Sequence, residues 1–153
     1  MIEGKVDNLI HAGGVHAVNG EGNACALDVV GFKLTWDMVR HTLCSALEGG
    51  SNYWYCIAEF IPPTVGDVPW DGEECCFSHL DYPCREGGAL IIIELGEEEP
   101  KRMRLDRAAL VEGLKVMATK YTKHFADVMT ETGDAITGDV LLQCACFGEL
   151  IYG

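Results

Sequence analysis

The side chains best suited to chemistry in this chain crowd into one short stretch: Cys75, Cys76, His79 and Cys84 fall within ten residues. A Cys-x2-His-x4-Cys spacing would offer a zinc ion three or four tetrahedral ligands. The spacing matches no standard finger, and 153 residues can bury a core without a structural metal. The expectation is therefore no cofactor, with zinc as the alternative. His11 and His16 could add ligands, but in glycine-rich surroundings they read as solvated side chains.

Two further groups of residues could hold a ligand. Asp134, Asp139 and Glu149 are carboxylates in or beside an apolar stretch, and Gln143 follows Asp139 by four residues, on the same helical face. One account is a cap at Asp134 and a hydrogen-bond network fixing the last helix; the other is a pocket presenting carboxylates and an amide. Tyr53 and Trp54 follow Gly49-Gly50-Ser51-Asn52, so the rings could stack a nucleotide-like ligand while amides at Ser51 and Asn52 reach an anion. In a covered strand the same rings are core. No phosphate loop, dinucleotide fingerprint, nucleophile elbow or His-Glu-x-x-His occurs, and no histidine is tied to the carboxylates as a general base.

Charge adds a third candidate surface. The net charge is -13, and it is uneven: residues 51–100 hold eleven acids and one base, while residues 101–153 hold seven of each. Such a surface repels nucleic acid and membrane phosphates and attracts a basic protein. Asp67, Asp71, Glu73 and Glu74 are the partner-binding residues on this view; the plainer view is acidic loops that keep the chain in solution. The opening residues lack a basic stretch followed by an apolar one, and no apolar run approaches the roughly 18 residues that span a bilayer, so a cytoplasmic protein is expected. Cys44, Cys56, Cys144 and Cys146 sit in apolar surroundings and are expected to be reduced and buried.

The elements that must position these groups are legible in part. Thr35 is an N-cap for a helix burying Trp36, Val39, Leu43 and Leu47 and stopping near Glu48 at Gly49-Gly50. Tyr53 to Ile61 reads as a central strand covered on both faces and closed by Pro62-Pro63. Gly88 to Leu95 and Lys101 to Leu105 form a hairpin, with Glu97, Glu98 and Glu99 facing Lys101, Arg102 and Arg104 about its turn. Asp106 caps the longest helix, apolar on one face through Val128, and Ala135 to Phe147 is a buried helix ended by Gly148. Residues 149–153 read as a further short strand. Upstream, Ile2 to Ile10 has helical spacing, Asn19-Gly20 signals a turn, and Cys25 to Leu34 alternates as one strand. Cys75 to Leu80 reads as a short strand within the loops. The fold class is α+β: an antiparallel sheet of about 3–5 strands packed with about three helices in one domain, residues 1–33 being an appended segment.

Two of these stretches carry a resemblance. LEGGSNYWY after an amphipathic helix, with DAITGDVLLQCACFGELIYG, resembles a set of small bacteriophage-encoded proteins. Those share a Glu-Gly-Gly-x-x-Tyr-Trp turn and an Asp-Ala-x-Thr stretch running to Phe-Gly-Glu and Tyr-Gly. The likeness covers roughly Leu34 to Ile61 and Leu105 to Gly153, and neither residues 1–33 nor the acidic loops. It implies a viral origin and a host-cytoplasm location; it brings no activity and no catalytic residue. The resulting expectation is a non-enzymatic accessory protein, with counter-defence as one use, that binds a host protein by its acidic surface or a small nucleotide-like ligand by its aromatic turn. A homo-oligomer fits either use. The alternative is a small metal-dependent or carboxylate-based enzyme.

Overall fold

The computed structural model describes residues 16–17, 25–29, 32–64 and 79–153. The helix expected over Ile2–Ile10, the Asn19-Gly20 turn, Asp67, Asp71, Glu73, Glu74, Cys75 and Cys76 lie outside them. Thr35 opens the first helix as its hydroxyl allows, accepting the Met38 N–H at 3.3 Å, with Asp37 in the first turn. This helix, α1 (Trp36–Ser45), buries Trp36, Val39 and Leu43. It does not run α-helical to Glu48. After Ser45 the chain widens into a π turn, Ala46–Gly50, closed by the Ser51 N–H on the Ala46 carbonyl at 3.0 Å. The two glycines there do different jobs. Gly49 has φ 151°, which side chains resist, whereas a Cβ on Gly50 would stand 2.8 Å from the Ala135 carbonyl oxygen.

Upstream, the alternation expected to make one strand makes two: β2 (Cys25–Val29) and β3 (Phe32–Thr35) pair antiparallel, with β1 (His16–Ala17) on the other side of β2. The second antiparallel sheet has the order β4 (Tyr55–Ile61), β5 (Ala89–Glu94), β6 (Arg102–Leu105). The expected hairpin is therefore β5–β6, and β5 is the central strand. The Tyr53–Ile61 stretch is not central: within its strand Cys56, Ala58, Glu59 and Phe60 are exposed, and a bulge interrupts the register between Ile57 and Glu59. The unbroken aliphatic run of β5 suits a strand with a neighbour on each side, while Glu59 would bring a charge into that position. Cys56 is accordingly exposed, against expectation, and Cys44 and Cys146 are half-buried; only Cys144 of the four is fully inside, and all four are free thiols.

Asp106 accepts the Ala109 N–H at 3.0 Å and starts α2 (Arg107–Lys120), with Leu105 and Leu110 both buried as its staple. The apolar periodicity continues to Val128, but the helix does not. Tyr121, at φ -128° and ψ 53°, ends α2, and the chain restarts as α3 (Thr122–Thr130). A side-chain period cannot report one residue's backbone angles, so the single long helix is corrected to two. Asp134 caps α4 (Ala135–Phe147), which Gly148 ends at φ 76°. Residues 149–153 form no strand.

The helices converge on α4, which packs against α1, the π turn, α2, α3 and β6 in one α+β domain. Two close approaches let it sit there. A Cβ on Gly138 would stand 2.7 Å from the Thr42 carbonyl oxygen in α1, and one on Gly113 in α2 would stand 2.7 Å from the Ala145 nitrogen in α4. Backbone thus meets backbone on both sides, and Leu141 and Leu142 reach the cluster formed by Leu90 and Ile92 of β5 and Met103 and Leu105 of β6. Adding a methyl must spread those helices. Gly113→Ala and Gly138→Ala should each destabilise by about 1–3 kcal/mol in urea denaturation, and unchanged midpoints for both would rule the close crossings out.

Candidate functional site

Where α4 faces the start of β4, a buried carboxylate gathers three donors, two from a distant part of the chain and one from its own helix. Asp139 accepts from the Tyr53 hydroxyl, the Trp54 Nε1 and the Gln143 Nε2, each at 2.8 Å. The i, i+4 spacing on α4 delivers Gln143, and the π turn delivers Tyr53 and Trp54. Burying a charge requires such donors, since no water replaces them. The Trp54 backbone is fixed too, its carbonyl accepting the Leu95 N–H at 2.8 Å.

Gln143 carries the network outward. Its Oε1 accepts the N–H groups of Ile151 and Tyr152 at 2.9 and 2.8 Å, and its Nε2 also reaches the Tyr152 carbonyl at 3.0 Å. Leu150 donates its N–H to the Tyr121 hydroxyl at 3.0 Å. The Tyr152 ring stacks on Trp54, centroids 5.6 Å apart and planes 10° from parallel, while its hydroxyl donates to Glu94 Oε1. Phe147 meets both Trp54, at 5.2 Å, and Tyr152, at 6.1 Å, with the Lys101 ammonium 5.3 Å from the Phe147 ring centre. Burial, then the bond to Asp139, pushes the Tyr53 phenol up to about 12; burial does the same for Tyr55, and the bond to Glu94 for Tyr152.

Of the eight residues read as ligand-binding, Tyr53, Trp54, Asp139 and Gln143 are brought together, and their polar atoms bond one another. Asp134 stands apart as the α4 cap, its Oδ1 taking the N–H groups of Ile136 and Thr137, which lower its carboxyl below the usual range. Glu149 and Asn52 are exposed, and Ser51 is buried with a hydroxyl that meets no partner among the described residues. Among the metal candidates, His79 is exposed and meets the rings of Phe60 and Tyr82 edge-on. Cys84 is sealed in the core, where burial pushes its thiol far up and away from the thiolate a metal would need. Arg107 holds the Cys84 carbonyl at 2.9 Å and lies 4.7 Å from the Trp36 ring. The arginines of the hairpin find other partners than the turn acids: Arg102 meets Glu59 at 3.9 Å and Arg104 meets Asp106 at 3.0 Å. A shallow cleft of about 90 Å³ opens elsewhere, between α1 and the end of α3, lined by Met38, His41, Thr42, Ser45, Glu131 and Gly133.

The residues that sequence reasoning missed are apolar or lie far away in the chain. Of six exposed large apolar residues among the described residues, three bond members of the Asp139 network and two lie close to it in the chain: Tyr53 bonds Asp139, Leu95 bonds Trp54 and Ile151 bonds Gln143, while Leu150 precedes Ile151 and Ile136 lies three residues before Asp139 on α4. Phe60 is the exception. The signal available was an isoleucine in the first turn of α4 and two aliphatics after a helix-ending glycine, positions that core packing does not call for. No protein-family model, curated protein or solved structure matches the chain. Among the described residues no helix is long and apolar enough to cross a membrane, and no group of three or more His, Cys, Asp or Glu is placed to hold a metal ion.

Asp139→Asn keeps the shape but turns an acceptor into a donor that must face another donor, so it should destabilise by roughly 1–3 kcal/mol in chemical denaturation. A wild-type midpoint would show that the network is dispensable. Neutral phenols are favoured at Tyr53, Tyr55 and Tyr152, so their stabilisation is complete below pH 10 and lost as pH rises from 10 through about 12. Phenolate absorbance should show these three ionising late, together with alkaline unfolding, and Tyr53→Phe should remove one late proton. Ordinary titration of all three would contradict the described contacts.

Proposed function

We propose that this is a non-enzymatic binding protein that docks a host protein through exposed apolar side chains on the segments that the Asp139 network holds. The observation that carries this reading is that Tyr53, Leu95 and Ile151 are exposed apolar residues bonded to members of the Asp139 network, with exposed Leu150 and Ile136 on the segments beside them. Exposed apolar groups on ordered supports are what a docking surface needs, because little side-chain freedom is lost on association. Acids stand beside them: exposed Glu97, Glu98 and Glu99 follow Leu95, and exposed Glu149 precedes Leu150. With a net charge of -13, this rim favours a partner whose apolar knob is surrounded by lysine and arginine. The resemblance to bacteriophage proteins supplies the setting, an accessory or counter-defence role in a host cytoplasm.

The geometry supports a small nucleotide-like ligand or an enzyme less well. Trp54 is buried, with its ring stacked and its nitrogen bonded, and the three donors already meet both Asp139 oxygens. A photocrosslinking residue at Ile136 or Leu95 should capture one host protein, and the same residue at Glu112 on α2 should not. With that partner purified, Ile136→Asp and Leu95→Asp should each weaken binding about tenfold or more, and added salt should slow association. Unchanged affinity in both variants would sink the proposal.

A further inference from the structure

We infer that the groove beneath residues 149–153 is a recognition site for a short peptide bearing a tyrosine, and that these residues are its displaceable resident. The inference rests on the binding reading only for its biological use; the groove itself can be tested without any host protein.

Residues 149–153 have no helix or strand of their own. Their backbone is read by side chains of other elements: Tyr121 takes the Leu150 N–H, and one Gln143 amide engages both N–H groups of Ile151 and Tyr152 and the Tyr152 carbonyl. Two successive N–H groups meeting one amide oxygen require a turned main chain, and such contacts recognise that backbone whatever its side chains. One side chain is then selected. The Tyr152 ring lies on Trp54 with Phe147 at 6.1 Å, and Glu94 receives the hydroxyl, a combination that phenylalanine satisfies only in part. Ile151 is 53% exposed and Leu150 36%, so the preceding positions select little by side chain.

The groove has supports that do not involve its occupant. Asp139 holds Trp54 and Gln143, the Leu95 N–H holds the Trp54 carbonyl, and Phe147 belongs to α4. Departure of residues 149–153 would therefore uncover a preformed Trp54 face, with Gly148, at φ 76°, joining them to α4. A tethered occupant acts at an effective concentration on the order of millimolar, so a competing peptide meets strong resistance until the tether's anchor is weakened.

The test uses the full chain carrying Tyr152→Ala, with an acetylated and amidated peptide of sequence Gly-Glu-Leu-Ile-Tyr-Gly added in trans. Saturable tryptophan-fluorescence change and a rise in Tm are expected. Binding to the unsubstituted chain should be about tenfold weaker or more, and a peptide with the tyrosine changed to alanine, or a scrambled one, should be inert. Tyr152→Leu provides a second background that still covers Trp54. Should either variant fold, as judged by circular dichroism, and the peptide leave both signals unmoved, the inference fails. If both variants unfold, the segment is integral to the core, which overturns it equally. A dimer of the unsubstituted chain that the peptide dissolves would assign the groove to a second copy and overturn the partner named here. Failure of Ile136→Asp to affect a host complex would leave peptide binding untouched, so the two proposals fail separately.

Discussion

A carboxylate placed inside a protein needs donors, and Asp139 obtains them from a phenol, an indole and an amide that lie 86, 85 and 4 residues away. Much of the site follows from satisfying that one group. The π turn after α1 sets Tyr53 and Trp54 at the height of Asp139, and the close passage at Gly138 brings α4 near enough for the bonds to form. Gln143, with one donor spent on Asp139, has its carbonyl free to hold the chain beyond Gly148. The node is polar, yet it orders the largest aromatic cluster among the described residues, Trp54 with Tyr152, Tyr55 and Phe147.

Local chemistry made much of this legible. Thr35, Asp106 and Asp134 cap helices because each offers an oxygen to a free amide at the right spacing, and that information is contained within four residues. The β5–β6 hairpin and the amphipathic face of α1 are local in the same sense. What could not be read depended on contacts far along the chain. The aromatic, β-branched composition of Tyr53 to Ile61 suits a strand without saying which strand lies at the edge, so Cys56 was placed inside when it faces out. The break at Tyr121 leaves the apolar periodicity intact on both sides and is invisible to it.

The candidate site was half visible for the same reason. Asp139 and Gln143 share a helical face, so their partnership could be expected; that their partners would be Tyr53 and Trp54 could not. Two accounts of these residues were open, a ligand pocket and an internal network, and the polar atoms bond each other in the manner of the second. The surface that this network supports is apolar, and motif reasoning, which looks for acids, bases and nucleophiles, passes over isoleucine and leucine.

The crossings at Gly113 and Gly138 bear on the order in which the molecule can be made. Trp54 leaves the ribosome some eighty residues before the carboxylate that receives its indole, and Gly113 emerges before the Ala145 backbone it must touch. Until α4 is synthesised, α1 and α2 lack the helix that both pack against, and much of their apolar faces stays open to water or to a chaperone. Loop-closure entropy for contacts at such separation must be met before the packing that rewards it. The helices and the β4–β5–β6 sheet can thus form before α4 is made, whereas the Asp139 network and the two glycine crossings cannot.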